Sequence, residues 1–173
     1  MGFYGSVLEV LDTSSFSSIW YWIAVAVMWS LVSHFALGVP YDIVRRARSE
    51  PAAQRDMADI VRVNINRLIA LDERAALGAT AVLAASLTML ALVGFAYGSE
   101  MAQAVFFLVF PLSLVLTLSI RRARRISAEA AEGDALRRHL LAHRRVVQLV
   151  GMVSLFVTAL YGMFHNFAVG PFG

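Results

Sequence analysis

The chain has 173 residues, a mass of 19.0 kDa, 59% hydrophobic and 16% charged residues, and a mean hydropathy of +0.67. That apolar share exceeds the roughly 45–50% of ordinary soluble domains. The net charge of +3 is the balance of fifteen arginines, with no lysine, against twelve acidic residues. Cysteine is absent, which excludes disulfides, zinc–thiolate sites and cysteine-ligated iron–sulfur clusters held by this chain alone.

In chain order, the first stretch is MGFYGSVLEVLDTSS. It carries Glu9 and Asp12 but no basic residue and no small-residue cleavage site, so a cleavable signal peptide is not expected. Phe3, Val7 and Leu11 share one helical face and predict a short helix over 1–15 lying on the outer membrane interface. Four runs without Asp, Glu or Arg follow. A hydrocarbon core of roughly 30 Å takes about 20 helical residues. The runs therefore predict transmembrane helices over 17–38, 75–98, 101–120 and 146–167. The expected fold is all-α: a polytopic membrane protein, one domain over 1–173, with a four-helix transmembrane bundle and amphipathic cytoplasmic segments at 39–74 and 121–145. Alternating strands of about ten residues, as a membrane β-barrel needs, are not present in the pattern.

The first predicted span opens on Trp20, Tyr21 and Trp22, and Tyr97 stands at the matching depth of the second. These amphipathic rings read as an aromatic belt at the headgroups. All arginines fall in the two segments between the first and second spans and between the third and fourth. Basic residues in short loops stay on the cytoplasmic side, so both segments are expected there and both termini outside. This predicts a multi-pass protein of the bacterial inner membrane. Arg45, Arg46 and Arg48 end one outward-to-inward helix, and Arg121, Arg122, Arg124 and Arg125 end the other. They act as stop-transfer clusters and as contacts for anionic headgroups, at about 1 kcal/mol per basic residue near a charged surface.

Within 39–74, Pro51 after Ser49-Glu50 marks a helix start, and Met57, Val61, Ile65 and Leu68 recur at three or four residues. Asp56 or Asp59 is placed to pair with Arg62. The near balance of charge there argues against nucleic acid as a partner and for a solvated face that a protein partner contacts. RRAR occurs at 45–48 and again at 121–124, which suggests a duplicated two-helix unit. The plainer explanation, arginines ending each inward helix, is preferred because the helices themselves do not align.

Ionisable groups inside the predicted spans are few. His34 and His165 lie at opposite depths, too far apart to be two axial ligands of one haem. Ala26, Ser30 and His34 repeat at spacing four on the first span, and Ser154, Thr158, Gly162 and Asn166 on the fourth. Such stripes let helices approach, inside the bundle or against another subunit. A proton or substrate path along Ser30, His34, Ser154, Thr158, His165 and Asn166 is the sharper alternative, but it lacks an acidic residue in the spans to drive it. HLLAH places His139 and His143 at i, i+4, yet no carboxylate completes a metal set and Arg137, Arg138, Arg144 and Arg145 flank it, so no metal is expected. Pro111 is expected to kink the third span, with Ser113 or Thr117 serving the freed carbonyl. No phosphate loop, GxSxG or dinucleotide fingerprint occurs, and no cofactor is expected.

The segments SFSSIWYWIAVAVMWSLVSHFALGVPYDIV, VRVNINRLI, AQAVFFLVFPLSLV and RRARRI together resemble a family of short bacterial membrane proteins labelled "component of SufBCD complex", after the iron–sulfur assembly scaffold. The resemblance covers most of the chain and implies a membrane-bound accessory with Suf proteins as partners. It carries no site residues. Without cysteine or a nucleotide motif, the chain is expected to anchor such a complex through its arginines and neither to hold the cluster nor to hydrolyse ATP. The functional expectation is a non-enzymatic accessory or scaffold subunit. The competing class is a small transporter or channel subunit.

Overall fold

The computed structural model describes the backbone of residues 19–169 and the side chains of residues 19–164. The helix expected over 1–15, and the side chains of His165 and Asn166, lie outside them.

The apolar stretches are parts of longer helices. Helix α1 (Ile19–His34) is apolar but short, and it stops four residues before the expected end at 38. The cause is local. Phe35–Ala36 (β1) and Val39–Pro40 (β2) pair antiparallel, Phe35 with Pro40 and Ala36 with Val39. The two residues between them both take positive φ, Leu37 at 53° and Gly38 at 80°. That is the twist a two-residue hairpin needs. Glycine adopts it freely, whereas a leucine there costs about 1–2 kcal/mol per residue. Asn64 supports the turn by donating from Nδ2 to the Leu37 carbonyl at 3.3 Å.

After the hairpin, α2 (Tyr41–Arg46) has Asp42 in its first turn and Arg45 and Arg46 in its last, each complementing the helix dipole. Helix α3 (Pro51–Ala91) starts with proline at its first turn after an extended Glu50. It runs 41 residues without interruption, about 60 Å. The amphipathic segment and the second apolar stretch are therefore one helix, closed by a π-helical turn at Leu92–Ala96. Helix α4 (Glu100–Ala128) is capped by Ser99, whose side chain accepts from the Ala102 N–H. It continues eight residues past the expected boundary at Ile120. Helix α5 (Gly133–Val169) begins 13 residues before the expected start at Val146. Both predicted cytoplasmic segments are thus largely helical extensions of the apolar stretches.

Among the described residues, three helices are long and apolar enough to cross a membrane: Pro51–Ala96, Glu100–Ala128 and Gly133–Phe164. Pro111 lies within the continuous α4. Ser113 and Thr117 do not serve the carbonyl it frees, as Ser113 donates to Phe110 O and Thr117 to Ser113 O.

The larger apolar core sits in the arginine-bearing half. Ala53, Met57, Val61 and Ile65 repeat every four residues along α3 and pack with Ala123 and Ile126 of α4, Leu136 and Leu140 of α5, and Val39 and Val44 of the hairpin and α2. A second cluster in the apolar half joins Val25 and Trp29 of α1 to Val115 and Val147. The most apolar window of α3 is 0% buried, against 22% for those of α4 and α5, so the upper part of α3 stands at the edge of the bundle.

Candidate functional site

The arginines gather at one end of the bundle, and their surroundings divide them. Arg46 lies 4.0 Å from Asp42 and 3.8 Å from Glu50. Arg124 bridges to Asp72 of α3, and Arg125 donates to Glu129 at 2.7 Å. Arg62 pairs with Asp59 at 3.3 Å, as the spacing suggested. Exposed ion pairs of this kind contribute at most about 1 kcal/mol, so their value is positional. Arg45, Arg48 and Arg121 are exposed and have no ion pair among the described residues. The two RRAR motifs also differ in setting. Residues 45–48 end a six-residue helix and enter a turn, whereas 121–124 lie inside a long one.

Arg144, absent from the sequence-based candidates, ties α1 to α5. Its Nε donates to the Ser33 carbonyl at 3.1 Å, near the C-terminal end of α1, and its guanidinium lies 3.4 Å from the centre of the Tyr41 ring. One side chain thereby satisfies a terminal carbonyl and makes a cation–π contact.

The polar stripes are not brought together. Ala26, Ser30 and His34 are exposed, and α1 presents Val25 and Trp29 to its neighbours instead. The Ala26/Ser30/His34 stripe therefore does not face the interior of this bundle, and of the two expected settings contact with another subunit is the one its exposure leaves open. The physical reason is Gly151 of α5, which leaves the space Trp29 fills: a Cβ there would lie 2.8 Å from the indole. On α5, Thr158 is buried and donates to Ser154 O in its own helix at 2.8 Å. Among the described residues, Ser30 and His34 make no hydrogen bond to Ser154 or Thr158.

His139 and His143 share one face of α5 but meet different partners. His139 Nε2 lies 2.9 Å from Glu129 Oε2, and its Nδ1 lies 3.4 Å from an Arg122 nitrogen. His143 is 3% exposed, and its Nε2 lies 3.1 Å from Ser119 Oγ. Ser119 itself donates to Val115 O at 2.8 Å. Its oxygen therefore accepts, which assigns the proton of a neutral His143 to Nε2. The pair borders a cavity of about 420 Å³ where all four long or apolar helices meet the hairpin, with Asn64 as a further polar group on its wall.

No family model, curated protein or solved structure matches this chain.

Burial, and after it the charge of Arg122, holds the His143 imidazole down at about 4. Its unfolded value is near 6.5, so on acidification the unfolded chain takes up the proton first. The stability contributed by neutral His143 is complete above about pH 6.5 and is lost as the pH falls towards 4. The wild type is expected to lose about 2–3 kcal/mol more over that window than His143→Gln, which keeps a donor but does not titrate. Thermal unfolding at pH 7 and pH 4.5 measures this, and parallel acid profiles in the two proteins would count against it.

Neither the hydrogen-bonded His143–Ser119 pair nor the Arg144 link announces itself in sequence. HLLAH showed the spacing but not the partners, and only the position of Ser119 two residues before the basic run pointed to a polar group at that depth.

Proposed function

We propose that this protein is a non-enzymatic integral membrane accessory subunit. It spans the bacterial inner membrane four times, with both termini outside and the arginine-bearing half in the cytoplasm. The observation that carries this reading is the arginine-bearing half itself. It has its own apolar core, built on Met57, Val61, Leu136 and Leu140, while Arg45, Arg48 and Arg121 stand exposed around it without ion pairs among the described residues. A cluster serving topology alone would not need a packed helical platform beneath it. A docking surface does, because binding residues held on rigid elements lose less entropy when a partner is engaged.

The resemblance to proteins labelled as SufBCD components supports a soluble iron–sulfur assembly complex as the partner, with this chain as its anchor. The transporter alternative is less well supported, since Ser30 and His34 are exposed and not turned into the bundle.

The test is purification of the tagged full-length protein in mild detergent, followed by mass spectrometry of retained proteins. Suf proteins that are retained by the wild type and lost from Arg45→Ala/Arg48→Ala/Arg121→Ala support the anchor. A different retained complex, lost in the same variant, keeps the accessory reading and replaces the partner. Recovery of the chain alone overturns the accessory reading.

A further inference from the structure

Helices α4 and α5 line a second, open pocket of about 360 Å³ at the basic end of the bundle. Arg122 and Arg125 of α4 face Arg138 and His139 of α5 across it, with Glu129 at the connection and Ala135 and Ala142 keeping the space open. The hydrogen bonds fix its charge. Ionised Glu129 accepts from Arg125 Nε at 2.7 Å and from His139 Nε2 at 2.9 Å. With the His139 proton on Nε2, Nδ1 is the acceptor that Arg122 reaches at 3.4 Å. The exposed Arg125 holds Glu129 below the ordinary carboxylate range, so the acid stays charged.

Three guanidinium groups therefore face one carboxylate, leaving two positive charges around a space that no described side chain fills. Arg138 has no ion pair or hydrogen bond among the described residues, and the contacts of Arg122 and Arg125 each use only one of their nitrogens. Guanidinium groups present forked donors suited to a tetrahedral oxyanion. Glu129 sits at the helix connection and, by accepting from Arg125 and His139, holds both at the pocket, whose lining also includes Arg122 and Arg138.

We propose that this pocket binds a phosphate group, with Arg122, Arg125 and Arg138 as its ligands and Glu129 and His139 as positioning residues. The source of the phosphate is either the headgroup of an anionic lipid or free phosphate. The lipid source rests on the membrane placement proposed above. It fits the depth of the pocket, since Arg122 follows the apolar run of α4 by two residues, about 3 Å along the helix.

The test uses the full-length protein in phosphatidylcholine nanodiscs. Thermal unfolding is followed with no addition, with phosphatidylglycerol in the disc, and with millimolar inorganic phosphate against chloride at equal ionic strength. Arg138→Gln is the main variant, because the exposed and unpaired Arg138 has no structural partner to lose. Arg67→Gln removes the same charge from an exposed position of α3 outside the pocket. The melting temperature of the wild type is expected to rise by several degrees with phosphatidylglycerol. Arg67→Gln should keep that rise and Arg138→Gln should lose most of it. A rise with inorganic phosphate of the same size, also lost in Arg138→Gln, assigns free phosphate instead. No rise with either, or an equal loss in both variants, overturns the proposal. Partner retention is read separately on Arg45, Arg48 and Arg121, so failure here leaves the accessory reading standing.

Discussion

Gly151→Leu should release α1 from α5. The Cβ alone would lie 2.8 Å from Trp29, a ring that is 5% exposed and sits in the apolar-half core with Val25, Val115 and Val147. Three further carbons cannot enter that space unless the indole leaves it, and overpacking of this kind costs about 1–3 kcal/mol. In a Trp20→Phe/Trp22→Phe background, quenching of Trp29 fluorescence by brominated lipid is expected to increase clearly in Gly151→Leu. Adding Trp29→Ala to Gly151→Leu should recover part of the lost stability, since the two changes act on one contact and are not additive. Unchanged quenching would show that Trp29 does not depend on the glycine.

Leu140→Ala should have the larger effect on stability. Leu140 is 0% exposed and lies where α3, α4 and α5 meet in the arginine-bearing half. Deleting three buried carbons from such a site costs about 2–5 kcal/mol, depending on how far the neighbours close in. The expected result is a lower melting temperature and earlier proteolysis around the 129–132 connection, with the protein still inserted. Leu140→Met, nearly equal in volume, should cost less than about 1.5 kcal/mol. If alanine and methionine behave alike, Leu140 is not the keystone of that core.

The two sites differ in how far the sequence discloses them. The periodicity of Met57, Val61 and Ile65 was readable, because α3 keeps a spacing of four over its polar half. That this segment joins the second apolar stretch was readable only in part. Asp72, Glu73 and Arg74 interrupt the hydropathy and suggest a boundary, yet no proline and no glycine between Pro51 and Gly78 breaks the helix. Charge ends a span, whereas only backbone chemistry ends a helix, and the two boundaries fall in different places. The end of α1 failed for the opposite reason. Leu37 adopts a conformation that its residue type disfavours, and it does so through a contact from Asn64, 27 residues away. The face of α1 that packs inside the bundle was not legible because spacing-four rules recognise small residues on both partners, while here one large ring meets one glycine. The pocket between α4 and α5 needed the hydrogen-bond network to be visible at all, since Glu129, His139 and Arg138 lie in what read as a polar connection.

The unbroken course of α3 gives the molecule a lever. Its lower arm is clamped by the core of the basic half and by the Asp72–Arg124 bridge, while its upper arm, from Ala75 to Ala91, is about 25 Å of rod with no fully buried residue and only one partly buried face. Bilayers that are too thin or too thick for a helix are accommodated by tilting it. A tilt of about ten degrees would carry the tip of that arm about 4 Å, and a stiff rod passes the same rotation to the end that carries Met57 and Val61. Membrane thickness would then be felt as torque in the platform that carries the exposed arginines, without any ligand to relay it.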